Sequence, residues 1–301
     1  MTTPSPTPAP LLGMTNMMVS AFCTQFMNGA VRELSLTTGI HPFEIAFFRC
    51  LFGSIFLCGM VARAGLGALR TTRPWLHVLR AVLNATSMLS FFLALNYVPI
   101  AKLSALMFTC PLFAALGAAA VLREKIGPAR LGSLVVGFCG ALMVMRPGFE
   151  EMTLGLWLAV LAAATWGAAL VLIKMQSRTE SSLTIAIYAA NLLLPFNLAA
   201  ALFFWRWPGL VSLAWLAGIG LLGTISQIAL GNAFRRADAS VVLPFDFTKL
   251  IWAALIGYVM FGEIPDAWTW AGGTVIFAST LFIAYRERTI RRVDTAAVPA
   301  E

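Results

Sequence analysis

Long apolar runs are the feature that most limits what this chain can fold into. A helix needs roughly 20 apolar residues to cross the ~30 Å hydrocarbon core of a bilayer. Of the 301 residues, 59% are hydrophobic and only 11% are charged, too few charges to cover the surface of a soluble domain. We interpret ten runs as transmembrane helices: 12–31, 43–62, 75–95, 100–121, 129–146, 153–173, 183–204, 211–233, 239–261 and 267–285. The sequence therefore predicts an all-α integral membrane protein whose partner is a lipid bilayer.

The Lys and Arg residues between the runs and towards their ends predict the orientation. With a cytoplasmic N-terminus, 15 of them fall on the cytoplasmic side: Arg63, Arg70, Arg73, Arg80, Arg123, Lys125, Arg130, Lys174, Arg178, Arg235, Arg236, Arg286, Arg288, Arg291 and Arg292. Only four fall on the opposite side: Arg32, Lys102, Arg146 and Arg206. Because cytoplasmic loops are enriched in cations, both termini are expected in the cytoplasm, with 1–11 a disordered tail and 287–301 a second tail. The net charge of +8 then reflects topology, and nucleic-acid binding is not expected.

A repeat occurs at an offset of 139 residues. It pairs Ala94 with Ala233, Phe108 with Phe247 and Glu124 with Glu263. We divide the chain accordingly into two five-helix repeats, 12–146 and 153–286. Since an odd number of helices reverses the direction of the chain, the second repeat is expected to be inverted relative to the first. Inverted repeats are typical of secondary transporters, which bind substrate between them near the middle of the membrane.

With these features the chain resembles the drug/metabolite transporter superfamily, in particular its EamA-type ten-helix members. The resemblance covers about residues 12–287 and is carried by the hairpins ending at Glu124 and Glu263, by WGAALVLIK at 166–174 and by FFRCLFG at 47–53. The segment LPFDFTKLIWAALIGYVMFGE at 243–263 is similar to a subset that includes amino-acid, riboflavin and S-adenosylmethionine carriers. The resemblance implies a carrier of the bacterial inner membrane that works by alternating access, without ATP and without a cofactor.

Two charges inside the ninth run are the sharpest candidates for substrate binding. Asp246 and Lys249 lie at i, i+3 on one helical face, just after Pro244. Charges in a bilayer cost at least ~2.5 kcal/mol and are functional candidates by default. The pair offers an acceptor for a substrate ammonium and a donor for a carboxylate. Otherwise it forms a closed internal ion pair, or one in which Lys249 snorkels outward. For Arg49, a second cation inside a run, we expect a structural ion pair with Glu44 or Glu33.

Further candidates are uncharged. The polar side chains expected to line a cavity are Gln25, Asn28, Asn84, Ser87, Ser226 and Gln227, and the aromatic ones are Trp166, Tyr188, Phe108 and Phe247. Each of them is also open to a plainer role in helix packing or interhelical hydrogen bonding. The candidates for gating or structure are Pro99, Pro111, Pro244, Glu124, Glu263 and Arg49. The glycines of the fifth and tenth runs are expected to pack against each other or to form a dimer face, so monomer and homodimer both stay open.

The function that follows is a secondary transporter of amino acids and related small metabolites, with export as the expected direction. The alternative is a riboflavin, S-adenosylmethionine or multidrug carrier of the same fold. An intramembrane enzyme is disfavoured because the sequence contains neither H-E-x-x-H nor G-x-S-x-G. A metal site is not expected, since the five cysteines fall within apolar runs and lack C-x-x-C spacing.

Overall fold

The computed structural model describes residues 10–64, 71, 73–122, 127–149, 151–177, 179–180, 182–237 and 239–296. The elements of these ranges are helices, with a short 3-10 turn at Leu202–Phe204. In chain order they are α1 Pro10–Thr38, α2 Pro42–Ala64, α3 Pro74–Ala94, α4 Ile100–Met107, α5 Cys110–Leu122, α6 Pro128–Met145, α7 Leu154–Gln176, α8 Ser182–Ala201, α9 Leu210–Arg236, α10 Ala239–Asp246, α11 Thr248–Phe261 and α12 Ala267–Ala296.

Two of the apolar runs are interrupted at equivalent places. The fourth run breaks between α4, which ends at Met107, and α5, which begins at Cys110. The ninth breaks after Asp246, and an offset of 139 residues carries Met107 onto Asp246 and Cys110 onto Lys249. The carbonyl of Phe108, freed by the first break, accepts a hydrogen bond from the Thr280 hydroxyl of α12 at 3.3 Å. The repeat seen in the sequence is therefore present in the backbone.

Helices of the first half of the chain pack mainly against helices of the second half, and equivalent helices of the two halves make equivalent contacts. Helix α1 packs on α9 and α11, and its counterpart α7 packs on α3 and α5. Likewise α2 packs on α9 as α8 packs on α3, while α6 pairs with α12 and α2 with α8. Exchanging the halves maps each of these contacts onto another, so the interior of the protein is the interface between the repeats.

Glycines allow the close contact between α6 and α12. A Cβ added at Gly140 would lie 3.0 Å from the carbonyl oxygen of Gly272, and one at Gly272 would lie 2.6 Å from that of Gly140. These glycines pack against each other within one chain, as one of the two expectations had it, and the dimer face stays a prediction.

Five helices of the described residues are long and apolar enough to cross a membrane by length and composition: Pro74–Ala94, Ile100–Leu122, Leu154–Gln176, Leu210–Arg236 and Val241–Phe261. Two of these spans join the halves of the interrupted runs. Large apolar side chains such as Val135, Trp157 and Val259 are exposed on the outside of the bundle, as a lipid-facing surface requires. The count of ten spans and the cytoplasmic location of both termini stay predictions.

One cation lies elsewhere than expected. Arg80 was assigned to a cytoplasmic loop, but it lies within α3 and is only 2% exposed. Its guanidinium donates to the Gln176 side-chain oxygen at 3.0 Å and to the Ile185 carbonyl at 2.8 Å. The prediction was wrong because an arginine near the end of an apolar run is typical of a loop. The sequence pattern does not show that groups of distant helices accept its hydrogen bonds.

Candidate functional site

A cavity of about 760 Å³ lies between the two halves of the chain. Side chains from both repeats line it, including those at both helix breaks. Of the residues singled out from the sequence, eleven line the cavity: Gln25, Asn28, Arg49, Asn84, Ser87, Phe108, Pro111, Trp166, Gln227, Asp246 and Lys249. The volume falls within the ~300–1,000 Å³ typical of small-molecule sites.

The remaining candidates have other surroundings. Tyr188 stacks on His77 with ring centroids 4.4 Å apart, and Ser226 bonds to Ser20 and Thr24 of α1. Phe247 stacks on its repeat equivalent Phe108 at 5.8 Å, beside the cavity. None of these three side chains belongs to the cavity lining, nor do the last three candidates that the structure describes, Pro99, Pro244 and Glu263. Glu124 lies outside the described residues.

Asp246 and Lys249 meet at the break between α10 and α11. The Lys249 ammonium lies 2.7 Å from a carboxylate oxygen of Asp246, and the two side chains are 25% and 20% exposed. The pair forms where the helix is interrupted because Pro244 lies within α10 and Asp246 is its last residue. The residues form the expected internal ion pair and both face the cavity, and their role in substrate binding stays a prediction.

A small polar network lies on the α1 side of the cavity. The Gln25 side-chain oxygen accepts hydrogen bonds from the Asn28 amide at 3.0 Å and from the Ser104 hydroxyl of α4 at 3.2 Å. All three residues are buried, with Asn28 only 1% exposed. The network joins α1 to the helix before the first break, and it presents amide groups to the cavity.

The two serines at equivalent positions make equivalent bonds. The Ser87 hydroxyl donates to the Ala162 carbonyl of α7 at 2.8 Å, and the Ser226 hydroxyl donates to the Ser20 carbonyl of α1 at 3.1 Å. Both bonds tie one repeat to the other. Their expected role in lining a shared cavity holds in part, because only Ser87 reaches the cavity.

Arg49 does not make the ion pair expected of it. The Glu44 carboxylate accepts instead from the backbone N–H of Arg206 at 2.9 Å. The guanidinium of Arg49 lies in the cavity wall, where its donors meet the sulfurs of Met27 at 3.4 Å and Met88 at 3.0 Å. The sequence could not predict these two contacts of Arg49, because both methionines belong to other helices.

Glu263 joins three helices at one end of the bundle, which we call the Glu263 end. Its carboxylate accepts from the Arg32 guanidinium at 2.5 Å and from the backbone N–H of Ile100 at 3.1 Å, in the first turn of α4. Arg32 also lies over the Phe261 ring, 4.5 Å from its centroid. These contacts link the ends of α1 and α11 to the start of α4.

A second cluster lies at the opposite end, which we call the Glu180 end. The Glu180 carboxylate accepts hydrogen bonds from the Thr71 hydroxyl and the His77 ring. Burial raises the pKa of this carboxyl, but the hydrogen bonds from Thr71 and His77 and the charge of His77 outweigh burial, so the pKa is lowered from its ordinary value. The cluster ties the start of α3 to the loop between α7 and α8.

Comparison with known proteins adds independent observations. A model described as the EamA-like transporter family matches residues 8–146 and again 153–285. The chain is 33% identical over 279 residues to a riboflavin transporter of Rhizobium johnstonii, covering 92% of each chain. It is 33% identical over 253 residues to an S-adenosylmethionine uptake transporter of Rickettsia bellii, covering 84% of this chain and 87% of that one.

Two further similarities are weaker in sequence. A pseudopaline exporter of Pseudomonas aeruginosa is 28% identical over 282 residues, with 90% of this chain and 95% of the exporter covered. A solved crystal structure aligns with this chain at a TM-score of 0.58 and 16% identity, and the alignment covers 92% of this chain and 99% of the chain in that structure. This likeness shows the fold alone.

Proposed function

Because the chain belongs to the EamA-like transporter family, we propose that it moves amino acids and related small metabolites across the bacterial inner membrane by alternating access. It is a multi-pass inner-membrane transporter with a two-repeat architecture. Export is the proposed direction. The observation that carries the substrate proposal is the Asp246–Lys249 ion pair, which faces the cavity between the repeats.

The chemistry of the pair suits a zwitterionic substrate. An α-amino acid carries an ammonium and a carboxylate a few ångströms apart. Asp246 would accept the ammonium and Lys249 would donate to the carboxylate, so substrate replaces one ion pair with two. Each protein charge keeps a partner in both states, which limits the desolvation cost of opening the pair.

The helix breaks provide the means of movement. Backbone at a break lacks the continuous i→i−4 hydrogen bonds of a helix, and it is tolerated at membrane depth where it lines a cavity. Pro111 follows the first break and Pro244 precedes the second, so each interrupted run has a bend point beside the cavity. We propose that the half-helices rock about these points as the cavity changes the side to which it opens.

A second substrate class, that of larger ring-bearing metabolites, is favoured by the aromatic lining and the size of the cavity. Phe91, Phe92, Phe108, Trp166 and Phe277 contribute rings to a space of about 760 Å³, more than a small amino acid fills. Relatives named for riboflavin and S-adenosylmethionine carry molecules of this kind. The second candidate is therefore a riboflavin, S-adenosylmethionine or multidrug carrier.

A substrate panel separates the two classes. Purified protein in liposomes would be tested for uptake and counterflow of labelled amino acids, riboflavin, S-adenosylmethionine and a cationic drug. Saturable movement of amino acids supports the first class. Movement of riboflavin or a cationic drug without any amino acid would refute it in favour of the second. Lys249→Ala should then reduce transport of carboxylate-bearing substrates more than that of cations, and equal loss would point to a structural role for the lysine.

A further inference from the structure

Arg49 has unusual surroundings for an arginine inside a membrane protein. It lies on α2 in the cavity wall, and its hydrogen-bond donors meet the Met27 sulfur at 3.4 Å and the Met88 sulfur at 3.0 Å. On its other side the guanidinium packs on α9, where a Cβ added at Gly223 would lie 3.1 Å from Nε of Arg49. The side chain is thus held in place by three neighbouring helices.

None of these neighbours balances its charge. Within the part of the chain that the structure describes, no carboxylate forms an ion pair with Arg49, and Glu44, one turn earlier, is taken by the backbone of Arg206. Other cations of the described helices do have carboxylate partners: Arg32 with Glu263, Arg146 with Asp266 and Lys249 with Asp246. Arg80 also lacks an ion pair among the described residues, but two oxygens accept from it, whereas the donors of Arg49 meet only sulfur there.

Thioether sulfurs are weak acceptors, and they carry no charge. Arg49 is partly buried, and a guanidinium that loses part of its hydration without an anionic partner has nothing to offset that loss. The same group offers a planar set of five donors that fits a carboxylate or phosphate bidentately. The two sulfurs therefore hold the Arg49 guanidinium in position and leave its positive charge available to an anion.

The balance of charge in the cavity leads to the same conclusion. Four charged side chains line it: Arg49, Arg80, Asp246 and Lys249. Asp246 and Lys249 cancel each other at 2.7 Å. Arg80 donates to two neutral oxygens, and the charge of Glu180 acts on it. Arg49 and Arg80 are therefore both without an ion pair among the described residues, and of the two it is Arg49 whose donors meet no oxygen.

We infer that Arg49 binds an anionic group of the transported molecule, so that the substrate carries a carboxylate or a phosphate. This inference rests on the proposed transport function and narrows its substrate class. Neutral or purely cationic molecules would leave the guanidinium unpaired during transport. Anionic metabolites would instead pair it when they enter and leave it unpaired when they depart.

Pairs of probes that differ only in the anion test the inference. The pairs are riboflavin with riboflavin 5′-phosphate and methionine with methioninamide, each assayed for uptake into liposomes that contain the full-length protein. The wild type should favour the member that bears the phosphate or the carboxylate in any pair it transports, the first pair testing phosphate and the second carboxylate. Arg49→Gln should lower that preference about tenfold or more, because it removes a charge-assisted hydrogen bond to the anion. Arg49→Lys should keep part of it.

The matched control is Arg235→Gln, which removes a positive charge at the exposed end of α9, away from the cavity. This variant should keep the wild-type preference. A wild type that favours the members without the phosphate or carboxylate, or an Arg49→Gln protein that loses both members of a pair equally, would overturn the inference.

A labelling experiment tests the charge without any transported substrate. Gln227 lines the cavity one helical turn from Gly223, so a cysteine placed there reports the potential near Arg49. The ratio of labelling rates by anionic and cationic methanethiosulfonates at position 227 is read by peptide mass spectrometry. Adding Arg49→Gln should lower this ratio roughly threefold or more. An unchanged ratio overturns the inference. A lowered ratio supports it even in a protein for which the substrate panel finds no amino-acid transport, a result that would contradict the proposed substrate class alone.

Discussion

Removing the Glu263 side chain should destabilise the protein at the Glu263 end. The carboxylate accepts from Arg32 at 2.5 Å and from the Ile100 N–H at 3.1 Å, and the Arg32 and Glu263 side chains are only 14% and 17% exposed. Glu263→Ala leaves both donors without this acceptor. Glu263→Gln keeps an oxygen for the Ile100 N–H but removes the charge that pairs with Arg32.

The magnitude follows from the two lost interactions. Breaking a fully buried ion pair costs about 3–5 kcal/mol, and partial exposure reduces that to about 2 kcal/mol. The unsatisfied backbone N–H adds about 1 kcal/mol. We therefore expect losses in the free energy of unfolding of about 3 kcal/mol for Glu263→Ala and about 2 kcal/mol for Glu263→Gln. At roughly 2 °C per kcal/mol, Tm falls by about 6 °C and 4 °C.

The assay is thermal unfolding of purified protein in detergent, followed by circular dichroism. Glu33→Gln is the matched control, because Glu33 follows Arg32 on α1 and forms no ion pair among the described residues. The control should unfold like the wild type. The reasoning is refuted if Glu263→Ala unfolds within 1 °C of the wild type, or if Arg32→Gln and Glu263→Gln lower Tm additively in the double variant.

Three further predictions concern other parts of the bundle. Glu180→Gln should unfold at a lower temperature than the wild type at neutral pH. Because the folded-state pKa of Glu180 is lowered, this difference in unfolding temperature should be constant above pH 4.5 and shrink below it. A difference that grows on acidification would contradict the lowered pKa. Gly272→Leu should separate α6 from α12 and reduce the yield of folded protein on size-exclusion chromatography, whereas a wild-type profile would show that the contact with Gly140 tolerates bulk. Asp246→Asn should lower transport of amino acids, and unchanged transport at every pH tested would exclude a role of Asp246 in substrate binding.

The repeat in the sequence predicted more of the structure than the individual candidates did. An offset of 139 residues anticipated that Phe108 and Phe247 occupy equivalent positions, and the two rings stack at 5.8 Å beside equivalent helix breaks. The repeat can be detected in the sequence because both halves retain the same order of apolar runs, small residues and turns. The pairing of Asp246 with Lys249 was also predictable, since i, i+3 spacing puts them on one face.

Contacts between distant helices were not predictable in this way. Nothing in the spacing of Arg49 indicates that Met27 and Met88 surround it, and nothing near Arg80 indicates Gln176. A polar side chain inside an apolar run signals only that it avoids lipid. Whether it then meets another helix or the cavity is decided by tertiary packing.

Transport by two variants of one helix tests the central claim, that substrate passes through the cavity between the repeats. Trp166 lines the cavity, whereas Trp157, on the same helix α7, is 58% exposed on the outside. Counterflow would be measured in liposomes with the substrate that the panel identifies. We predict that Trp166→Ala reduces the rate about tenfold, as loss of an aromatic contact worth up to ~1.5 kcal/mol requires, and that Trp157→Ala retains it. Equal rates in the two variants would contradict the account.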